Sequence, residues 1–339
     1  MSVLICGGAG YIGSHCAREL KKEGFDCLIF DNLSEGHRAA VGDLPLIVGD
    51  LLDESALESV FASHEIDAVL HFAAFALVGE SVKRPLEYYR NNVVGTINLL
   101  RAMQKRGVKR IVFSSTCAVY GEPARMPIAE DAPAAPVNPY GETKLAVERM
   151  LAACDAAHGI KSVCLRYFNA AGAAPDGDIG EDHALETHLI PLIFKVALGL
   201  GEKLTVYGND HPTKDGGCVR DYIHVLDLAD AHARALRHLL DGGESRAYNL
   251  GTGKGASVFE VIETASRVSG RDIPYEIAAR RAGDPAVLIA SADKIRRELG
   301  WKPQRGELET ILADAWRWHH THPSGYGDGG DAGNGGKKP

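Results

Sequence analysis

Short unbroken apolar runs recur through the first half of the chain, separated by stretches whose apolar residues return every three or four positions. The runs Val3–Cys6, Cys27–Asp31, Pro45–Val48, Ala68–Phe72, Arg110–Ser114 and Val163–Tyr167 predict strands, and Ser14–Lys22, Glu54–Ser63, Leu86–Lys105 and Tyr140–Ala157 predict helices. Apolar runs without alternation belong to strands covered on both faces, and strand–helix alternation supplies that cover in a parallel sheet. From about Ala173 the texture changes to a loop-rich, acidic stretch, AAPDGDIGEDHALETHL, followed by mixed elements. The pattern therefore divides the chain into a first lobe at 1–172 and a second at 173–324, with a return to the first lobe open near 221–249. The last fifteen residues, GYGDGGDAGNGGKKP, hold seven glycines and little to bury, so 325–339 are expected to be a disordered tail.

Composition narrows the class. The chain has 339 residues, 45% hydrophobic and 24% charged, the balance of a globular protein with a substantial core. A net charge of −8 gives no basic surface for nucleic acid. No run of eighteen apolar residues exists, so no membrane partner is expected. The opening MSVLICGG enters a strand directly, without the basic segment of a secretion signal. Seven scattered cysteines without a CxxC pair read as reduced thiols, so a cytoplasmic location and no metal are expected. His71 in a strand and His319 and His320 in a C-terminal helix read as packing residues rather than ligands.

The stretch VLICGGAGYIGSH sets Gly7, Gly10 and Gly13 at G-x-x-G-x-x-G spacing after the first strand. Glycine lets the turn bend and lets backbone N–H groups approach a pyrophosphate, and the following helix N-terminus favours that negative charge. Such glycines can also make a plain strand-to-helix turn. Here the second strand ends in an acid, Asp31, eighteen residues past Gly13. A carboxylate there suits the adenosine ribose hydroxyls and repels a 2′-phosphate, so the expected cofactor is NAD rather than NADP. Asp50, in the GDL that closes the third strand, can read an adenine edge. The fold expectation is then α/β: a Rossmann-type doubly wound parallel sheet with a second, smaller α/β substrate-binding lobe.

The chemical candidates come from two stretches, FSSTCAVYG and NPYGETKLAVE. The first follows the fifth strand, at the sheet end where ligands bind, and brings Ser114, Ser115 and Thr116 there. Strand-end capping competes as the role of the two serines; Thr116 is better placed to donate to a substrate oxygen. The second stretch sets Tyr140 and Lys144 four apart on one helix face. A phenol of ordinary pKa, about 10, is a poor base near neutrality. A neighbouring ammonium and a positively charged nicotinamide both favour phenolate, so Tyr140 is the expected acid–base group for an alcohol.

The motifs GGAGYIGSH, FAAFALVGES, SSTCAVYG, NPYGETK, LRYFNAAGA, GEDH, VRDYIHVLDLADAH, YNLGTG and RRAGDPA resemble the UDP-glucose 4-epimerase family of the extended short-chain dehydrogenase/reductase superfamily, over residues 1–322. The resemblance implies a tightly held NAD. Tyr140 would take the proton of the sugar 4-hydroxyl, the C4 hydride would pass to the nicotinamide, and the keto sugar would swing over to receive it on the opposite face. It implies cofactor contacts at Gly7, Gly10, Tyr11, Ile12, Gly13, Asp31, Asn32, Asp50, Leu51, Phe72, Ala73, Ala74, Asn92, Ser114, Tyr140 and Lys144, with Tyr167 and Phe168 flanking the nicotinamide. Uridine and diphosphate contacts of a UDP-hexose substrate map onto Asn169, Leu189, Tyr207, Arg220, Arg281 and Asp284, beside Thr116 and Tyr140. Family likeness also implies a homodimer, with the 86–105 helix as its candidate contact.

Departures from the family pattern matter. Some members carry a cofactor-touching lysine where this chain has Ala76, and a pocket-closing tyrosine where it has Leu288. A dehydratase of the same superfamily would need Asp-Glu after Thr116, whereas Cys117 and Ala118 stand there. A decarboxylase would need glutamate at the Ala118 position. UDP-glucuronate epimerisation stays open, as does N-acetylhexosamine conversion. A non-enzymatic NAD sensor on this fold would be expected to lose the Tyr140–Lys144 pair, which is kept.

Overall fold

The structure, a computed structural model, describes residues 1–281 and 285–327. In chain order its strands are β1 (Ser2–Cys6), β2 (Asp26–Asp31), β3 (Leu46–Val48), β4 (Ala68–His71), β5 (Arg110–Thr116), β6 (Lys161–Tyr167), β7 (Asn169–Ala171), β8 (Leu204–Tyr207), β9 (Val219–His224), β10 (Arg246–Leu250), β11 (Gly255–Ser257), β12 (Tyr275–Ala278) and β13 (Val287–Leu288). Its longer helices are α1 (Tyr11–Lys22), α2 (Glu54–Ser63), α3 (Gly95–Arg106), α4 (Pro139–His158), α5 (Leu189–Ala197), α6 (Val225–Leu240), α7 (Val258–Ser269) and α8 (Leu308–Thr321).

Seven strands form one parallel sheet in the order β10-β6-β5-β4-β1-β2-β3. The winding direction reverses at β1, so the carboxyl ends of β1 and β4 bound a crevice. Successive strand residues point to opposite faces, and both faces are covered. Ile5, Ile29 and Leu70 pack with Leu20 of α1 and Leu236 of α6; Leu4, Phe30 and Val69 pack with Leu57 of α2, Met103 of α3 and Leu151 of α4. Each fully buried aliphatic or aromatic side chain contributes roughly 1.5–3 kcal/mol, which is why these runs needed no polar alternation. The smaller lobe holds β9 between β11 and β13, with β7 also paired to β9, and its core gathers Phe194, Val261, Ile311 and Leu312 from α5, α7 and α8. The chain returns to the large sheet through α6 and β10, and again at Ile295 and Trp301, whose indole donates to Asp227 O at 3.0 Å.

Three features depart from the sequence pattern. The predicted 86–105 helix is a short turn, Pro85–Tyr88, then a π-helical segment, Tyr89–Val94, then α3. Such wide turns concentrate at functional sites; this one buries Asn92, whose amide bonds Phe75 N and O and Thr143 Oγ1. Helix α1 starts at Tyr11, three residues before the predicted Ser14, because Gly10 already stands at its N-cap. Finally, Tyr326 falls inside the stretch expected to be disordered, yet it packs against Trp318 with ring centres 4.7 Å apart, and its N–H donates to Asp182 Oδ2 at 3.0 Å. One aromatic with a receptive partner outweighs its glycine neighbours. Residues 328–339 of that stretch lie outside the described residues. Among the described residues no helix is long and apolar enough to cross a membrane.

Candidate active site

Two of the three motif glycines are sterically required. A Cβ on Gly7, at φ +79°, would sit 2.4 Å from Ala73 N, and one on Gly13 would sit 2.2 Å from Gly7 O. Gly10 has room for a Cβ; as N-cap it simply brings no capping side chain. The first bond within α1 is Ser14 N–H to Gly10 O, 2.9 Å, so the N–H groups of Tyr11, Ile12 and Gly13 precede it and form the positive end of the helix. The Tyr11 phenol points elsewhere, donating to Gly172 O at 2.6 Å, and Ile12 packs on the core. Asp31 ends β2, its carboxylate accepting from Ala9 N and Leu33 N at 2.9 and 2.8 Å. Burial raises its pKa while those two donors pull it down. Asn32 donates to Asp50 Oδ2 at 3.0 Å, and Leu51 is buried with its carbonyl held by Asn98.

At the other end of the crevice, sequence neighbours become a cluster. Asn138 caps α4 by accepting from Gly141 N at 2.9 Å, and Pro139 occupies the first helical position. Gly141 lies so close to Ala118 that a Cβ would meet its carbonyl at 2.6 Å. This contact places Tyr140 at the end of β5, where the Thr116 hydroxyl lies near enough to its phenol to favour the phenolate. Thr116 Oγ1 accepts from Ala118 N at 3.1 Å. Lys144 Nζ donates to Ser114 O at 2.7 Å and lies 5.9 Å from the Tyr140 ring centre.

The protein's own electrostatics run against the expected phenolate. Burial pushes the Tyr140 phenol well up, and the Thr116 hydroxyl only partly offsets this. Desolvation is the largest cause. Lys144 itself is lowered to about 7 by burial, with Glu148 opposing. Glu148 is a residue that sequence reasoning passed over. It stands one turn beyond Lys144 on the same face, a spacing visible in NPYGETKLAVE. It accepts from Ser115 Oγ at 2.5 Å and from Arg166, whose other arm donates to Tyr120 OH at 2.8 Å. Tyr120 in turn donates to Asn249 Oδ1 at 2.7 Å. The two serines are thus internally engaged, Ser114 Oγ pairing with Tyr167 OH at 2.5 Å. Phe72, whose ring centre lies 4.7 Å from that of His232, follows β4 together with Ala73 and Ala74.

The expected substrate residues come from separate segments. Arg220 in β9 pairs in register with Leu288 in β13, is buried, and lies by Cys117, whose thiol burial pushes up to about 12. Leu288 packs with Val119, Tyr120 and Phe168. Arg281 stacks over the Tyr207 ring at 3.9 Å. Asn169 opens β7 and Leu189 opens α5. Asp284 lies outside the described residues.

The profile of the NAD dependent epimerase/dehydratase family matches residues 3–251. A UDP-glucose 4-epimerase of Halalkalibacterium halodurans is 55% identical over 96% of this chain and 98% of its own length. The fold is similar to that of UDP-glucose 4-epimerase from Bifidobacterium longum in complex with NAD+ and UDP: TM-score 0.91, 41% identity, 96% of this chain and 100% of that one. It is also similar to a UDP-Glc/GlcNAc 4-epimerase from Campylobacter jejuni, with TM-score 0.83, 43% identity, and 94% and 99% of the two chains covered.

Proposed function

From the premise that the chain belongs to the NAD dependent epimerase/dehydratase family, we propose that it interconverts UDP-glucose and UDP-galactose by transient oxidation at the sugar C4. The carrying observation is the buried Thr116–Tyr140–Lys144 cluster at the carboxyl end of β5, within the sheet whose first turn is the glycine cradle. NAD fits that cradle: Gly7 and Gly13 keep the approach clear, and the α1 N-terminus would hold the pyrophosphate and Asp31 the ribose. When bound, NAD supplies reversible hydride transfer. Tyr140 takes the 4-hydroxyl proton and gives it back, and Thr116 orients the oxygen. Lys144, whose ammonium form Glu148 supports against burial, favours in that form the phenolate that Tyr140 must pass through.

Arg220 and Arg281 grip the diphosphate by charge-assisted pairs, with Tyr207, Asn169 and Leu189 about the uridine. The sugar-nucleotide lobe is read as 173–324, apart from α6, β10 and the Ile295–Trp301 region that pack on the cofactor lobe. An exposed apolar strip, Val82, Leu86, Tyr89 and Val94, supports a homodimer through the segment before α3. Seven free thiols suit the cytoplasm.

A second reading concerns substrate width. Leu288 is shorter than tyrosine at a position bordering the sugar, so the N-acetylhexosamine pair is proposed as a further substrate. One experiment tests both readings. UDP-glucose, UDP-N-acetylglucosamine and UDP-glucuronate are supplied separately and the products analysed by NMR. Formation of UDP-galactose is expected, and unchanged UDP-glucose would reject the activity. Leu288→Tyr is expected to cut kcat/KM for the N-acetyl substrate several-fold, about 1 kcal/mol, and to spare UDP-glucose; equal loss of both would reject the gate.

A further inference from the structure

Four side chains converge in the loop between β7 and α5. Glu181, His183, Glu186 and His188 each place one ligand-type atom within 4.8 Å of all the others. His183 Nδ1 lies 3.2 Å from Glu186 Oε2 and 3.5 Å from Glu181 Oε1. His188 Nδ1 lies 2.8 Å from Glu186 Oε1 and 3.0 Å from Glu181 Oε1. The side chains of Glu181 and Glu186 are only 7% and 3% exposed. Among the described residues, their ion-pair partners are these two histidines, with no lysine or arginine.

Histidine–carboxylate pairing accounts for such contacts, and three observations fit a metal ion equally, so the two are separated by the test below. Two buried carboxylates side by side carry two negative charges, which one divalent cation between them neutralises. Tetrahedral zinc with bonds of about 2.0–2.1 Å holds its ligand atoms about 3.3–3.4 Å apart, and the 3.5 and 3.0 Å from the two histidine Nδ1 atoms to the one Glu181 Oε1 bracket that value. The donors are also held before any ion arrives. Glu186 Oε1 accepts from Thr187 N and His188 N, both at 2.7 Å, and the Trp318 indole donates to Glu181 O at 3.1 Å. Trp318 reaches that carbonyl because Gly180 has no Cβ, which would fall 2.2 Å from the indole Cγ. Outer contacts of this kind orient ligands and strengthen metal sites.

We infer that Glu181, His183, Glu186 and His188 form a structural site for one zinc ion, closing the loop before α5 on itself. Two imidazoles and two carboxylates suit zinc among the divalent ions, and four protein donors leave no open position for chemistry. Cysteine spacing, on which the sequence expectation of no metal rested, is silent about this set because it contains no cysteine. An ion here fixes the start of α5, whose first residue is Leu189.

The test uses the full chain. Protein stripped with EDTA and dialysed is titrated with Zn²⁺ by calorimetry, and metal in the untreated protein is measured by mass spectrometry. One zinc per chain is expected, with Kd below about 1 μM. His183→Gln and Glu186→Gln are expected to weaken binding by roughly 100-fold or more. Co²⁺ in the stripped protein is expected to give the intense visible bands of a four-coordinate ion. Failure of the stripped wild type to bind zinc stoichiometrically overturns the inference, whatever the variants do. So does unchanged affinity in both folded variants, which would send the ion elsewhere.

Discussion

Along the dinucleotide wall, His15, His71 and His232 are buried, and each has a ring nitrogen without a partner. Burial lowers them to about 4, 3 and 4, so they stand neutral at physiological pH. On the proposed substrate side the charged groups are cations: Arg220, buried in β9, and Arg281, stacked on Tyr207. One wall works through backbone dipoles and close approach, which need no charged side chain to hold a pyrophosphate. The other, as proposed, would seize and release a diphosphate each cycle through charge-assisted contacts. Tyr140 sits between them, where burial keeps the phenol protonated and the Thr116 hydroxyl favours the phenolate.

The largest expected break in this contrast is Tyr140→Phe. Removing the phenol oxygen is expected to lower turnover by roughly 10²–10⁴-fold, measured with saturating UDP-glucose, while NAD released on denaturation remains stoichiometric. Near-normal turnover would move the acid–base role elsewhere.

Arg220→Met tests the charged wall alone. Loss of charge-assisted hydrogen bonds worth about 1.5–3 kcal/mol is expected to raise KM for UDP-glucose by roughly 10–100-fold, with kcat and NAD content little changed. A variant that instead loses NAD would show that the two walls are not separable.

The smallest effect concerns the neutral wall and is one of stability. His232 has a folded pKa of about 4, below its ordinary 6.5, so between those values the unfolded chain binds the extra proton. Stability is therefore present above pH 6.5 and is lost as pH falls toward 4. Between pH 7 and 5 this group accounts for about 2 kcal/mol. Urea titrations of wild type and His232→Leu at the two pH values are expected to show a shallower loss in the variant. Equal losses would mean that His232 is not held neutral.

Continuous apolar runs alternating with helical periods read as strands covered on both faces, so six of the sheet's seven strands and its glycine turn were legible from the chain alone, β10 excepted, as was the four-residue step from Tyr140 to Lys144. Both depend on local spacing, which survives without coordinates. The Ser115–Glu148–Arg166–Tyr120–Asn249 chain was not legible, since Tyr120 and Asn249 meet across 129 positions. The π segment before α3 was not legible either, because its apolar pattern is that of an ordinary helix and the wide turn serves Asn92's distant partners. Periodicity and glycine placement thus determined where the cofactor crevice must lie. Only the tertiary structure decided the charge states within it, because a pKa depends on how much water packing removes and on which distant side chains replace it.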